Sequence, residues 1–253
     1  MTNNVAIVIP AADVAELSTP LLAGLLESII KFDIQKEMPI ILCFDGCHDM
    51  FIETFVTKYP FIVPIINSGN RSNFCGNANR GLRYVHKELK SSVIIVNQDT
   101  VLSNQFTKIY GEGLVSPIQV KLQENPPFTA WEEYLAMGPE ELIWTDHLKV
   151  TGFCLFVNKQ VMDKCGYLDE FFKASFEDDD LCIRAKLAGF PVQTINIPIH
   201  HFVSKAGSNY QAKLSLNLDM FRNKFSVPHS VAHADCGEYI LNNHIWIEEM
   251  HCG

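Results

Sequence analysis

A chain of 253 residues with 47% apolar residues is long enough to bury one large α/β core, and 19% charged residues are too few for a disordered acidic chain. Its 20 Lys and Arg against 29 Asp and Glu give a formal net charge of -9 with no basic cluster, which argues against nucleic acid as a partner. An acidic chain that binds an anionic pyrophosphate needs a divalent cation, backbone N–H groups or a few placed arginines to offset its own field.

Val5–Ile9 is a short apolar run ending at Pro10 and reads as a buried strand. Pro20–Phe32 carries apolar residues at helical spacing, with Ser18 or Thr19 to cap it and Pro20 suited to its first turn. Ile40–Phe44 predicts a strand, Met50–Tyr59 a helix capped by Asp49, and Phe61–Ile66 a third strand. Gly76–Leu89 predicts a helix, and Val93–Val96, wholly β-branched, a fourth strand. The first hundred residues thus read β-α-β-α-β-α-β. Their strands are continuous apolar runs, the pattern of a parallel sheet covered by helices on both faces.

The stretch from Ser103 to Lys149 is less regular, with Pro117, Pro126, Pro127 and Pro139 and the tryptophans Trp131 and Trp144. It reads as sheet extension plus a variable loop. Beyond it, Phe153–Val157 predicts a strand, Lys159–Lys164 a short helix ended by Gly166, and Asp179–Ala188 a helix ended by Gly189. Val192–Ile197 is a further strand and Lys213–Phe225 a further helix. The eight cysteines form no CxxC pair and read as reduced thiols of a cytoplasmic protein. No secretory leader pattern opens the chain, and no apolar run reaches membrane-spanning length. Any membrane contact would be peripheral.

In open parallel sheets, ligands bind beyond the carboxyl ends of the strands. Here those ends run into Pro10 and Asp13, into Asp45, Gly46 and Asp49, into Asn67–Arg71, and into Asn97, Gln98 and Asp99. Asp99 is placed either to bind a hard cation such as Mg²⁺ or Mn²⁺ or to cap a turn. The run Glu177-Asp178-Asp179-Asp180 suits a helix N-terminus, and Asp180 pairs with Arg184 at i,i+4. Four adjacent carboxylates repel, however, so at least one pKa should rise, and such a carboxylate is a general-base candidate. His200 and His201 follow a strand, as metal ligands or as structural residues. His229 and His233 lack a zinc signature and read as surface residues. No GxGxxG follows the first strand and no Walker A motif exists.

Taken in order, these segments resemble the family 2 glycosyltransferases, of GT-A fold. The resemblance rests on Val8-Ile9-Pro10, Phe44–Asp49, Phe74–Gly81, Val96–Thr100, Thr151-Gly152-Phe153, Gly166–Phe172 and Phe176–Arg184 with Gly189 after it, then a late His at 200 or 201. It spans roughly residues 5 to 225 and is nearest the rhamnosyltransferase-like branch. It implies an α/β, mainly parallel central sheet flanked by helices, with a nucleotide-binding half over 1–102, an acceptor and catalytic half over 103–225, and a C-terminal extension over 226–253. It implies inverting, metal-dependent transfer of a sugar from a nucleotide-sugar donor to a glycan or other hydroxyl acceptor. The resemblance assigns Asp178 as base and Glu177 as its neighbour orienting sugar or acceptor. Pro10, Asp13, Asp45, Arg71, Asn79, Asn97 and Gly152 are assigned to the donor, and Asp99 with His201 or His200 to Mn²⁺ or Mg²⁺. Asp45 is expected to accept from a base N–H or a ribose hydroxyl. Asp169 and Glu170 are expected to shape a loop.

Ala12-Asp13 departs from the family's aromatic and Asn, and Arg71 and Asn73 stand where Asn and Gly are common. This leaves two readings, Arg71 as a phosphate contact or a different donor. The missing Gln-x-x-Arg-Trp motif argues against a processive synthase. Two other readings stay open: a sugar-phosphate nucleotidyltransferase, disfavoured because Pro10–Glu16 has no Gly or basic residue, and a non-catalytic sugar-binding protein on the same fold. Donor base, sugar, acceptor and oligomeric state are not readable.

Overall fold

The computed structural model describes residues 4–13, 18–121, 135, 137–172, 175–202 and 210–243. Trp131, Cys252 and most of the proline-rich part of the middle segment lie outside them. The chain alternates β1 (Val5–Ala11), α1 (Ser18–Lys31), β2 (Ile40–Asp45), α2 (Asp49–Lys58), β3 (Ile62–Asn67), α3 (Phe74–Tyr84) and β4 (Ser92–Val96). The predicted alternation is therefore present, with boundaries shifted by a few residues. Asp49 lies inside α2 and His48 precedes it as the N-cap, so the predicted cap sits one position late. The predicted third helix is a composite, because α3 passes into a π-helical turn over Val85–Leu89.

After β4 the chain adds β5 (Thr100–Val101), β6 (Leu114–Lys121), β7 (Trp144–Asp146), β8 (Cys154–Val157), α4 (Lys159–Cys165), α5 (Glu177–Leu187), β9 (Val192–His201), α6 (Tyr210–Lys224) and α7 (Cys236–Asn243). The described strands form one sheet in the order β3-β2-β1-β4-β8-β6-β9-β5, with β7 also on β9. The first four pair in parallel; β8 joins antiparallel to β4 and to β6, while β6 and β9 are parallel. β9 is four residues longer than its apolar run predicts and carries both late histidines inside the strand.

Apolar residues cover both sheet faces. Ile7, Ile9, Leu42 and Phe44 pack under α1 and α2, while Val8, Cys43, Ile95 and Leu155 pack under α3 to α5. A third cluster joins Phe172, Phe176 and Ile183 to Phe221, Phe225 and Ile240. β3 departs from the expected fully buried strand, because it is the sheet's edge: Val63 and Ile66 are exposed and Pro64 sits at its centre. Among the described residues no helix is long and apolar enough to cross a membrane.

Gly81 is where α3 lies closest to the sheet. A Cβ there would meet Val8 Cγ1 at 2.5 Å and Cys43 Sγ at 2.7 Å. Overpacking a dense core costs about 1–3 kcal/mol. Gly81→Ala should lower the stability of the whole domain by that amount in urea unfolding, because the clash sits on two central strands.

Candidate functional site

Parallel pairing of β1 to β4 puts their carboxyl ends on one edge, and amide side chains bind those ends together. Ala12 N–H donates to Gln98 Oε1 at 2.7 Å, and Gln98 Nε2 donates back to Ala12 O at 3.1 Å. Asn77 Nδ2 donates to Ala11 O at 3.1 Å and to Cys43 O at 3.0 Å, holding the ends of β1 and β2 side by side. Pro10 is buried within β1 opposite Cys43, and Asp13 lies half-buried just beyond the Gln98 clasp.

Asp45, the expected nucleoside contact, is engaged by its own chain. Its Oδ1 accepts from Asn67 Nδ2 at 2.7 Å and from Arg80, and its Oδ2 accepts from Ser72 N–H at 2.9 Å and Ser72 Oγ at 3.1 Å. Four donors fill the acceptor capacity of a carboxylate. Asp45 therefore pins the 67–72 loop, leaving Arg71 exposed at its tip. Asn79 is likewise committed. Its Nδ2 donates to Leu168 O at 2.8 Å and Glu170 Oε1 at 2.9 Å, and its Oδ1 accepts from Leu168 N–H at 3.1 Å. It fixes the 168–170 loop rather than presenting a free group to a donor. Glu170 also pairs with Arg83 at 2.9 Å, and Asp169 with Lys224 at 2.8 Å.

Asp99 follows β4, and His201 ends β9. Their side chains meet with Oδ1 to Nε2 at 3.1 Å, at 4% and 8% exposure. The His201 ring stacks on Phe153 at 5.1 Å and 20° between planes, and its Nδ1 is hydrogen-bonded to the Gln119 carboxamide. The Gln119 atom at Nδ1 is the amide nitrogen, a donor, so Nδ1 accepts and the ring proton sits on Nε2, donated to Asp99 Oδ1; ligation through Nε2 needs the carboxamide turned so that its oxygen accepts from Nδ1–H. The 3.1 Å contact is an ordinary hydrogen bond; what suits the pair to a divalent cation is its chemistry, one carboxylate and one imidazole. The neighbouring Asn97 Oδ1 is buried with no hydrogen-bond partner among the described residues. Among the described residues no third His, Cys, Asp or Glu joins the pair. His200 is corrected as an alternative ligand: successive strand residues face opposite sides of the sheet, so it points away from the side on which His201 meets Asp99.

The four acids of α5 divide their tasks. Asp180 is fully buried and paired with Arg184 at 2.7 Å and with Lys224. Asp179 pairs with Lys149 at 2.8 Å. Asp178 Oδ2 accepts the Gly152 N–H at 2.8 Å, and its Oδ1 accepts the Asp179 N–H at 2.9 Å. Glu177 Oε2 is buried with no hydrogen-bond partner among the described residues. Burial first, and the Asp179 charge second, push the Asp178 carboxyl above the ordinary carboxylate range, against the pull of the Gly152 N–H. Burial and then the Asp178 charge raise Glu177 as well. Gly152 precedes Phe153, so Asp178 is joined to the Asp99–His201 pair through two consecutive residues.

Gln119, Gln98, Asn77 and Ser72 are parts of this site that local sequence reasoning does not single out. Each acts on a partner from a distant strand or loop. Gln98 carried a signal in its place in the polar run after β4, and Asn77 in its place within the Phe74–Gly81 stretch. His229 is exposed near Asp219, and His233 is exposed as well, as the surface reading expects, although one face of its ring packs on Phe176 at 5.1 Å.

A carboxyl whose pKa is higher folded than unfolded costs no stability while protonated in both states. Its cost builds as pH rises from its unfolded value and is complete once pH has passed its folded value, about 8 for Glu177. Glu177→Gln should therefore raise Tm by roughly 2–4 °C at about pH 8 and leave it nearly unchanged near pH 4. An equal change at both pH values in a thermal melt would contradict this electrostatic origin.

No family model matches the chain. A curated relative, a low-salt glycan biosynthesis hexosyltransferase of Haloferax volcanii, is 25% identical over 187 residues, which is 66% of this chain; the chain spans about 60% of that relative's length. A mannosyltransferase from Pyrobaculum calidifontis, solved with GDP-Man and Mn²⁺, superposes with a TM-score of 0.63 at 14% identity, covering 98% of this chain and 69% of that one. GalNAc-T7, solved with UDP, GalNAc and Mn²⁺, superposes with a TM-score of 0.61 at 12% identity over 94% of this chain and 53% of its own. These likenesses give the chain a GT-A fold like that of the family 2 glycosyltransferases.

Proposed function

We propose that the chain is a metal-dependent, inverting glycosyltransferase that moves a sugar from a nucleotide-sugar donor to a glycan or other hydroxyl acceptor in glycan assembly. The observation that carries this reading is the juxtaposition of two chemistries at one sheet edge. A cation-fitting Asp99–His201 pair is joined through Phe153 and Gly152 to Asp178, a carboxylate of raised basicity. The hexosyltransferase relative and the nucleotide-sugar and Mn²⁺ complexes of the structural neighbours support it.

Asp99 and His201 would hold Mn²⁺ or Mg²⁺, which when bound neutralises charge on the departing nucleoside diphosphate. Arg71, exposed on the loop that Asp45 pins, reaches for phosphate oxygens. Asp13, Pro10 and Asn97 line the strand ends on the donor side. Asp178 takes the proton of the acceptor hydroxyl as its oxygen bonds to the anomeric carbon, while the bond to the diphosphate oxygen breaks and its electron pair leaves with the diphosphate. Attack opposite the leaving group inverts the anomeric centre. Glu177 beside it orients sugar or acceptor. The raised Asp178 pKa keeps the base partly protonated on the acid side, so turnover should fall as pH drops through a range above that of an ordinary aspartate.

Thermal shift with UDP, GDP and dTDP tests the pocket directly. One of them should raise Tm in the presence of Mn²⁺ and much less without it, and Asp99→Ala should abolish the gain. Asp178→Asn should keep that gain while release of nucleoside diphosphate from the matching sugar donor falls about 100- to 10,000-fold. Near-normal turnover in that variant removes Asp178 from the role, and stabilisation indifferent to Mn²⁺ removes the metal.

A further inference from the structure

We propose that Phe176 is a positioning residue for the catalytic carboxylates, and that α6 and the 233–235 turn hold the base in place through its ring. This deepens the reading of Asp178 as base and rests on it. Phe176 has φ 72° and ψ -5°, a left-handed conformation, immediately before Glu177 and Asp178. For a bulky aromatic residue this region is strongly disfavoured, and such strain persists only where the surroundings over-determine the backbone.

Those surroundings come largely from the C-terminal elements. The Phe176 ring is buried against Phe221 of α6 at 5.5 Å and His233 at 5.1 Å. Phe221 is backed by Phe225 at 5.0 Å and by Phe172 at 6.4 Å. Asn217 of α6 donates to Ser175 O at 3.1 Å, fixing the residue before the turn. On the other side, the Phe176 carbonyl accepts the Asp180 N–H at 2.8 Å, and Lys224 of α6 pairs with the Asp180 carboxylate. The left-handed residue is thus gripped at its ring, at its preceding carbonyl and at its own carbonyl. The turn it makes delivers Asp178 Oδ2 to the Gly152 N–H. Glycine would adopt the same φ without strain but would have no ring for α6 to hold. A phenylalanine here links the position of α6 to the position of the base.

The test compares Phe176→Leu, Phe176→Ala and Phe176→Gly in the full chain, using melting, carboxyl titration by NMR of ¹³C-labelled Asp and Glu, and kinetics. The Asp178 signal is assigned by its loss in Asp178→Asn. Phe176→Gly should melt above Phe176→Ala, the reverse of their order at ordinary backbone positions, because only a left-handed φ favours glycine. In Phe176→Ala the Asp178 titration should fall toward the ordinary carboxylate range, and kcat for nucleoside diphosphate release should drop about 10- to 100-fold with KM for the sugar donor little changed. Phe176→Leu, which keeps apolar bulk, should recover most of both. Should Phe176→Ala not fold, Phe221→Leu trims the same contact from the α6 side and should move the titration in the same direction. A folded Phe176→Ala or Phe221→Leu with unchanged titration and kcat overturns the proposal while Asp178 stands. An active Asp178→Asn overturns the base assignment instead.

Discussion

The hydrogen bond from the Gly152 N–H to Asp178 Oδ2, 2.8 Å long, is the contact on which the candidate site depends. It ties the start of α5 to the chain entering β8. Phe153, next along, carries its N-terminal neighbour's constraint to the other half of the site, because its ring stacks on His201 and its carbonyl accepts the Asn97 N–H at 2.8 Å. Movement of one backbone amide would thus be felt by the carboxylate and by the Asp99–His201 pair. Residue 152 has little room for anything larger than glycine: a Cβ there would stand 3.1 Å from Asp178 Cβ.

Around that contact, electrostatic cost is concentrated rather than spread. Of four consecutive acids, the two farther along α5 are matched with cations, Asp179 with Lys149 and Asp180 with Arg184 and Lys224. The two nearer the strained turn have no cation beside them among the described residues, and both carboxyls resist ionisation. Asp180 carries the structural load that its i,i+4 spacing suggests, since Arg184 also donates to the carbonyls of Cys165 and Tyr167 and so closes the preceding loop. A helix N-terminus favours negative charge, but not four charges at once. The mismatch is confined to the pair that faces the site.

What the sequence makes legible follows from interaction range. β1, β2 and β4 show as apolar runs because each is covered on both faces, and the acidic run and the Asp99 position show because they are local. β3 misleads, since an apolar run does not say which strand will be outermost. The antiparallel insertion of β8 beside β4 joins residues about sixty positions apart and leaves no local trace. Asp45 looks like a ligand contact because the donors that satisfy it, from Ser72 and Arg80, come 27 and 35 residues later. The choice between His200 and His201 needed only strand alternation, but the apolar run stops at Ile197 and hides the strand's true end at His201. The left-handed Phe176 is invisible because nothing but glycine or asparagine announces such a backbone.

β3 has a consequence for how the molecule behaves at high concentration. An outermost strand bearing Val63 and Ile66 on exposed faces is a template onto which another chain's strand can register. Pro64 stands in the middle of it while the pairing with β2 runs unbroken from Ile62 to Asn67. The missing N–H therefore interrupts the outer row of donors, not the inner one. The sheet is complete toward its own core and defective toward strangers, which guards a crowded solution of this protein against fibre-like growth from its free side.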